Sequence, residues 1–228
     1  MTHRYQMEFC RYVKKTYEDY FSNKKVLEVG SLRLGTGTRE LFDNCDYIGI
    51  DVGEGEGVDI AVAGQDYDAP DESFDVTCSI ECFEHNPFWR ETFANMIRMT
   101  KPNGLVFMTC ATIGRAEHGT TRTTPQHSPL TVKNMKWEYY ENLEESDFYD
   151  AYEESFDEIF KEHEFHSTLY PQKTTFITDL LERYKEPLES ERGSEEEKKW
   201  EKFWKPHNLP YRFSHDLYFV GVKKNDHG

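Results

Sequence analysis

A chain of 228 residues, 37% hydrophobic and 31% charged, has room for one sizeable core and not for two full domains. Its formal charge of -16 opposes a nucleic-acid substrate, because the phosphate backbone repels a polyanion at physiological salt, and suits a neutral or small polar molecule better. No long uncharged apolar run occurs, and Arg4, Glu8, Arg11, Lys14 and Lys15 stand where a signal peptide is apolar, so the expectation is a cytoplasmic protein that does not enter a membrane.

Tyr5, Phe9, Tyr12, Val13, Tyr17 and Tyr20 recur at helical spacing with charged residues between them, which predicts an amphipathic N-terminal helix within residues 1–22. Val26-Leu27-Glu28-Val29 then reads as a short buried strand closed by Gly30, with a helix expected over residues 37–42. Further strands are expected over residues 47–52, 59–62 and 74–80. Asn86-Pro87 predicts a helix start, with Asn86 as N-cap and Pro87 as first helical residue, running to about Met99. Pro102-Asn103-Gly104 should turn into a fifth strand over residues 105–109. Strands alternating with helices predict an α/β, Rossmann-like doubly wound sheet with helices on both faces.

The second half is less regular. Residues 114–130 form a polar connection rich in Thr, His, Arg and Pro, longer than most loops, and within a wider 113–150 loop-and-helix segment it is expected to serve the substrate. Helical segments are expected within residues 137–160, a strand near 165–170 and a last strand over 217–222. Residues 175–212, with Glu195-Glu196-Glu197-Lys198-Lys199, read as a charged helical insertion whose Trp200, Phe203 and Trp204 supply an apolar stripe for packing. The whole of 1–228 is thus read as a single domain. Five cysteines (Cys10, Cys45, Cys78, Cys82, Cys110) make no paired CxxC zinc pattern and are expected as free thiols.

The chemistry concentrates in Glu28-Val29-Gly30-Ser31-Leu32-Arg33-Leu34-Gly35-Thr36-Gly37, followed by Asp51 at the end of the next strand. A glycine turn lets backbone amides approach a ligand, and a carboxylate at the neighbouring strand tip accepts hydrogen bonds from ribose hydroxyls. Together they describe an adenosine site.

With VLEVG and its turn, IGID, DESFDVTCSIECFEH and a helix ending KPNG before LVFMT, the chain resembles the class I S-adenosylmethionine-dependent methyltransferases of the type 11 kind over residues 25–112. AEHGTTRTTPQHSP and HDLYFVGVK look like a subgroup placed in bacterial surface-polysaccharide and small-molecule tailoring pathways. The resemblance implies a seven-stranded, mostly parallel sheet with an antiparallel last strand, S-adenosylmethionine as cofactor and S-adenosylhomocysteine as product. It further implies that Glu28 orders the turn or the methionine amine, that Gly30 and Ser31 approach the cofactor, and that Asp51 with Val52 holds the ribose. Gly64 and Gln65 would follow the adenine edge and Ser79 the methionyl part. Two departures stand out. The turn is Gly-Ser-Leu-Arg-Leu-Gly rather than a compact E-x-G-x-G-x-G, and Ala63 replaces an acid near the adenine amine, leaving Asp66 or a backbone carbonyl for that contact.

Methyl transfer asks for alignment and exclusion of water, and a hydroxyl acceptor also needs its proton removed, whereas a neutral amine mostly needs orientation. His118 and His85, beside the carboxyl ends of strands five and four, are the candidate catalytic bases. Glu84, Arg122 and Tyr140 are candidate substrate contacts; Tyr139 is weighed with Tyr140, although aromatic pairs in a helix are usually core. Glu84, His85, Glu117 and His118 can in principle converge on an ion, but spacing does not establish one and no metal is assigned. The acidic ligands that metal-dependent catechol methyltransferases carry after strand five are replaced here by Cys110-Ala111-Thr112.

Competing functions fare less well. A short-chain dehydrogenase needs Tyr-x-x-x-Lys after strand four, and the only such spacing joins Tyr20 to Lys24. Asn86-Pro87-Phe88-Trp89 is similar to the Asn-Pro-Pro-Tyr element that holds a flipped base, yet a helix start explains it and the negative charge disfavours nucleic acid. A non-catalytic cofactor-binding module stays open, as does oligomer formation. The expected function is O-methylation of a small polar metabolite such as a sugar or polysaccharide precursor, with N-methylation of a small amine as the alternative.

Overall fold

The computed structural model describes residues 4–112, 115–135, 138–144, 147–148, 165–167 and 216–223. Parallel pairing links β1 (Lys25–Val29), β2 (Asp46–Asp51), β3 (Ile60–Ala61), β4 (Phe74–Ile80) and β5 (Thr100–Ala111), while β6 (Phe165–Ser167) and β7 (Asp216–Lys223) add antiparallel to one edge. The order across the sheet is β3-β2-β1-β4-β5-β7-β6. The expected count of seven is reached only by including the three-residue β6. Crossovers that step outward from β1 on both sides put a reversal of strand order between β1 and β4, which in open α/β sheets opens a crevice at the carboxyl edge.

The apolar runs read as buried strands are buried: β4 hides every residue except Asp75, and Val26, Leu27 and Val29 of β1 lie in the core. Successive strand residues face opposite sides, which fixes where the two helices lie. Phe9 of α1 (Arg4–Thr16) sits 4.9 Å from Tyr218, and Phe93 of α2 (Trp89–Met99) 5.6 Å from Phe219. Since Tyr218 and Phe219 are neighbours on β7, the helices cover opposite faces. The N-terminal helix ends at Thr16, and one 3-10 turn over Glu18–Tyr20 completes the expected span.

Several local expectations are corrected. Residues 37–42 make a single 3-10 turn, Thr38–Leu41, not an α-helix. The helix expected at Asn86-Pro87 starts at Trp89, with Phe88 as its cap residue. Asn86 instead accepts the Phe88 amide at 2.9 Å and donates to Thr92 Oγ1 at 2.8 Å, a local turn that competes with capping at that position. Pro102-Asn103-Gly104 does not precede β5 but lies within it: pairing jumps from Phe74–Thr100 to Val76–Leu105, and Asn103 takes φ 59°. Residues 138–144 are irregular, so Tyr139 and Tyr140 are not on a helix. The expected insertion at 175–212 and most of the 137–160 segment lie outside the described residues. No cysteine among the described residues is disulfide-bonded.

Candidate active site

A cleft opens where the sheet topology places it, at the carboxyl ends of β1, β2 and β4. Its floor holds Glu28, Gly30, Ser31 and Asp51, one wall Ile80, Glu81, Cys82 and His85, and the connection after β5 closes it through His127 to Thr131. Gly30 is required here: its φ is +79°, and a Cβ would lie 2.6 Å from Cys82 Cβ. The turn after β1 is held from both sides, with the Ser31 amide donating to Ile50 at 3.1 Å and the Leu32 amide to Asp51 Oδ2 at 3.0 Å.

Asp51 Oδ1 accepts from the Val52 amide at 2.8 Å. Burial pushes the Asp51 carboxyl up, and these two amide donors pull the other way. Glu28 is buried deeper; burial raises it to about 7 in spite of a hydroxyl donated by Tyr47 at 2.9 Å. Arg33 and Arg39 also border the cleft, but each is paired, Arg33 with Glu56 and Glu40 and Arg39 with Asp59.

Of the residues expected at the cofactor, Glu28, Gly30, Ser31 and Asp51 line the cleft together. Val52 contributes its amide to Asp51. Gly64 and Gln65 instead dock on α2: Asn95 donates to the Gly64 carbonyl at 2.8 Å, and Thr92 donates to Gln65 Oε1 at 3.2 Å. Ser79 is fully buried behind the wall that Ile80 begins. Sequence reasoning passed over Glu81 and Cys82, and nothing in the residue types announces the left-handed backbone of Glu81 (φ 57°) that bends the chain there.

Beside the cleft, Glu84, His85 and His118 gather into one buried cluster with half-buried Tyr140 against it. The His85 and His118 rings are 4.9 Å apart, and Tyr140 lies 5.6 Å and 5.0 Å from them. Glu84 is wholly buried, with Oε1 3.9 Å from His118 Nε2 and 4.0 Å from His85 Nε2. Burial, reinforced by Glu81, holds Glu84 well above the carboxylate range. Burial likewise drives His85 well below the usual range and His118 down to about 3, Arg115 adding to the latter. Both imidazoles are therefore neutral near pH 7. The Tyr140 hydroxyl donates to Asn142 Oδ1 at 2.8 Å, with the Ala116 carbonyl 3.1 Å away. Arg122 is not with them: it is exposed and paired with Glu117 at 2.7 Å and Glu138 at 3.4 Å.

The crevice at a strand-order reversal, with a glycine turn and a carboxylate at the next strand tip, defines a nucleotide-cofactor α/β fold of the methyltransferase type. A family profile described as "Methyltransferase domain" matches residues 1–166, and the chain belongs to that family. Solved structures share the fold at low identity. Phosphoethanolamine N-methyltransferase 2 of Haemonchus contortus, bound to phosphomonomethylethanolamine and S-adenosylhomocysteine, superposes with a TM-score of 0.51 at 18% identity, over 96% of this chain and 53% of its own. The 1,6-didemethyltoxoflavin-N1-methyltransferase of Burkholderia thailandensis, with its substrate and S-adenosylhomocysteine, gives 0.52 at 11%, over 97% and 79%. YcgJ of Bacillus subtilis gives 0.52 at 12%, over 98% and 100%. The chain spans about half the length of the Haemonchus enzyme. No curated protein matches significantly.

An adenosyl donor suits the residues present. Asp51 and Gly30 line the cleft, and the Ser31 hydroxyl is buried at its floor without a hydrogen-bond partner.

Proposed function

We propose that the protein transfers a methyl group from S-adenosylmethionine to a hydroxyl of a small polar metabolite, a sugar or polysaccharide precursor of the kind handled in surface-polysaccharide tailoring. The observation that carries this reading is the cluster at the cleft edge, where Glu84, His85 and His118 hold buried polar atoms without hydrogen-bond partners and Tyr140 packs beside them. Glu28, Gly30, Ser31 and Asp51 hold the donor, Asp51 through the ribose hydroxyls. Val52, Gly64, Gln65 and Ser79 support that side through backbone and packing. Glu84 and Tyr140 orient the acceptor, and His118 with His85 faces the hydroxyl that loses its proton. In the transfer the C–S bond breaks as the C–O bond forms, and sulfur keeps the electron pair, so the donor leaves as a neutral thioether. The proton of the hydroxyl passes to solvent through the cluster.

N-methylation is the second reading. It is favoured by the N-methyltransferases among the structural relatives. The test is incubation with donor carrying a deuterated methyl group and a panel of polyhydroxylated and amine acceptors, read by mass spectrometry and NMR. Label on oxygen supports the proposal and label on nitrogen replaces it with the second reading. Failure to bind S-adenosylhomocysteine in calorimetry overturns both.

A further inference from the structure

Three side chains of the cluster have an arrangement that neither a hydrophobic core nor a simple hydrogen-bonded network explains. Both carboxylate oxygens of Glu84 and Nε2 of His118 are buried without a hydrogen-bond partner, and so is Nδ1 of His85, whose other ring nitrogen, Nε2, is the one near Glu84. Buried polar groups are nearly always paired, so several orphans in one place call for a missing ligand. His118 donates from Nδ1 to the Ala116 carbonyl at 3.1 Å, which leaves the Nε2 lone pair turned toward Glu84. A backbone carbonyl on the far nitrogen is how metal-ligating histidines are commonly oriented. The separations of 3.9 Å and 4.0 Å from Glu84 Oε1 are too long for hydrogen bonds. They suit atoms flanking a common ion, because two ligands each about 2.1 Å from a metal stand roughly 3 to 4 Å apart. One donor atom from each residue lies within 4.8 Å of the others, so about 1 Å of side-chain movement brings all three to one centre. Gly119 at φ +68° lets the loop come this close, for a Cβ there would meet His85 Cε1 at 2.5 Å.

The neighbouring cation Arg115 is engaged elsewhere: its guanidinium reaches Glu81 at 3.7 Å and Asp216 at 3.0 Å. Glu117, the fourth residue that the sequence brought into consideration, turns away to Arg122 and Thr120.

We propose that Glu84, His85 and His118 bind one divalent transition-metal cation at the edge of the cleft. Two imidazoles and one carboxylate favour zinc, iron or manganese over magnesium or calcium, which prefer all-oxygen sets. Three protein ligands leave a coordination position that an acceptor oxygen can take, and a coordinated hydroxyl loses its proton near neutral pH more readily than a free one. That catalytic consequence rests on the reading of the cleft as a methyl-transfer site; the metal site itself rests on the cluster alone.

The test uses the full chain, stripped with chelator and dialysed, then titrated with zinc chloride by calorimetry and with cobalt chloride by visible absorption, with S-adenosylhomocysteine binding measured on the same samples. One metal per chain is expected, with a cobalt spectrum of nitrogen and oxygen ligands and no thiolate charge-transfer band. Glu84→Gln and His118→Ala should each weaken zinc binding more than about 100-fold, beyond the loss typical of outer-shell partners, while S-adenosylhomocysteine still binds. Equal zinc affinity in wild type and both variants, no cobalt band, or a thiolate band overturns the site; the wild-type spectrum decides it even if a variant fails to fold. Metal binding without S-adenosylhomocysteine binding upholds the metal site and overturns the transfer reading.

Discussion

Two carboxylates at the floor of the cleft differ in what surrounds them, and their variants should differ accordingly. Asp51 is held by two backbone amides at the floor of the cleft, so its loss removes the proposed ribose contact together with one tether of the turn. Asp51→Ala should lower S-adenosylhomocysteine affinity by about 10- to 100-fold, the worth of hydrogen bonds to a charged group, and near-normal calorimetric affinity would remove the ribose assignment. Glu28 is instead a pH-sensitive element of stability. Its carboxyl is raised to about 7 by burial, against 4.5 for the ordinary group, so between those values the folded protein holds a proton that the unfolded chain has lost. Stability from this residue is therefore full below about pH 4.5, falls as pH rises to about 7, and is flat above, a loss of about 3 kcal/mol. Urea denaturation at pH 5 and 7.5 should show wild type losing more than Glu28→Gln by up to that amount. Parallel pH profiles would mean the carboxyl is already ionised at pH 5. Both acids were visible in the sequence because a strand with a glycine turn and a distal acid is a local pattern. Cys82 was not, because its contact with Gly30 joins two strands that only the sheet brings together.

Elements were legible where periodicity was strong and misjudged where side chains compete with the backbone. The buried run of β4 was read to the residue, since an apolar stretch bounded by polar residues has one solution in a covered sheet. At Asn86 the same side chain can cap a helix or close a turn, and the turn won. At residues 102–104 a turn signature was absorbed as an irregularity inside β5, where Tyr20 reaches across to donate to the Asn103 carbonyl at 2.6 Å. α2 owes its place to its apolar face more than to its start: Phe93 is 4% exposed and packs edge-on against Phe83, Phe148 and Phe219. Phe93→Ala should cost about 3–5 kcal/mol in urea denaturation. A cost under about 1 kcal/mol would show that the ring is not the anchor of this helix. The loop after β5 was marked by composition and length, and it does supply His118 and the far wall of the cleft. Its convergence with Glu84 was unreadable, because the shared carbonyl of Ala116 and the left-handed Gly119 are properties of backbone path. His118→Ala should therefore reduce turnover with the true acceptor while leaving S-adenosylhomocysteine affinity intact. Unchanged turnover would remove His118 from the acceptor side.

At the scale of the whole molecule the charge of -16 acts on everything the chain does. Like charges spread over a surface repel one another and oppose compaction, while scattered ion pairs such as Lys14–Asp43 and Lys101–Asp75 act in the opposite sense. Exposed pairs are each worth little, and salt weakens both effects together. With 43 acids against 27 basic residues, repulsion is the larger sum, so screening should help more than it harms. Raising sodium chloride from about 10 mM to about 0.5 M shortens the Debye length from roughly 30 Å to under 8 Å. If the relief is about 1 kcal/mol, the melting temperature rises by about 2–4 °C for a chain of this size. A melting temperature that falls with salt would show that the ion pairs dominate, and with it the inference from net charge to partner class would weaken. The same repulsion should oppose binding of duplex DNA, and gel mobility at low salt, where electrostatic attraction is strongest, is the demanding condition for that expectation.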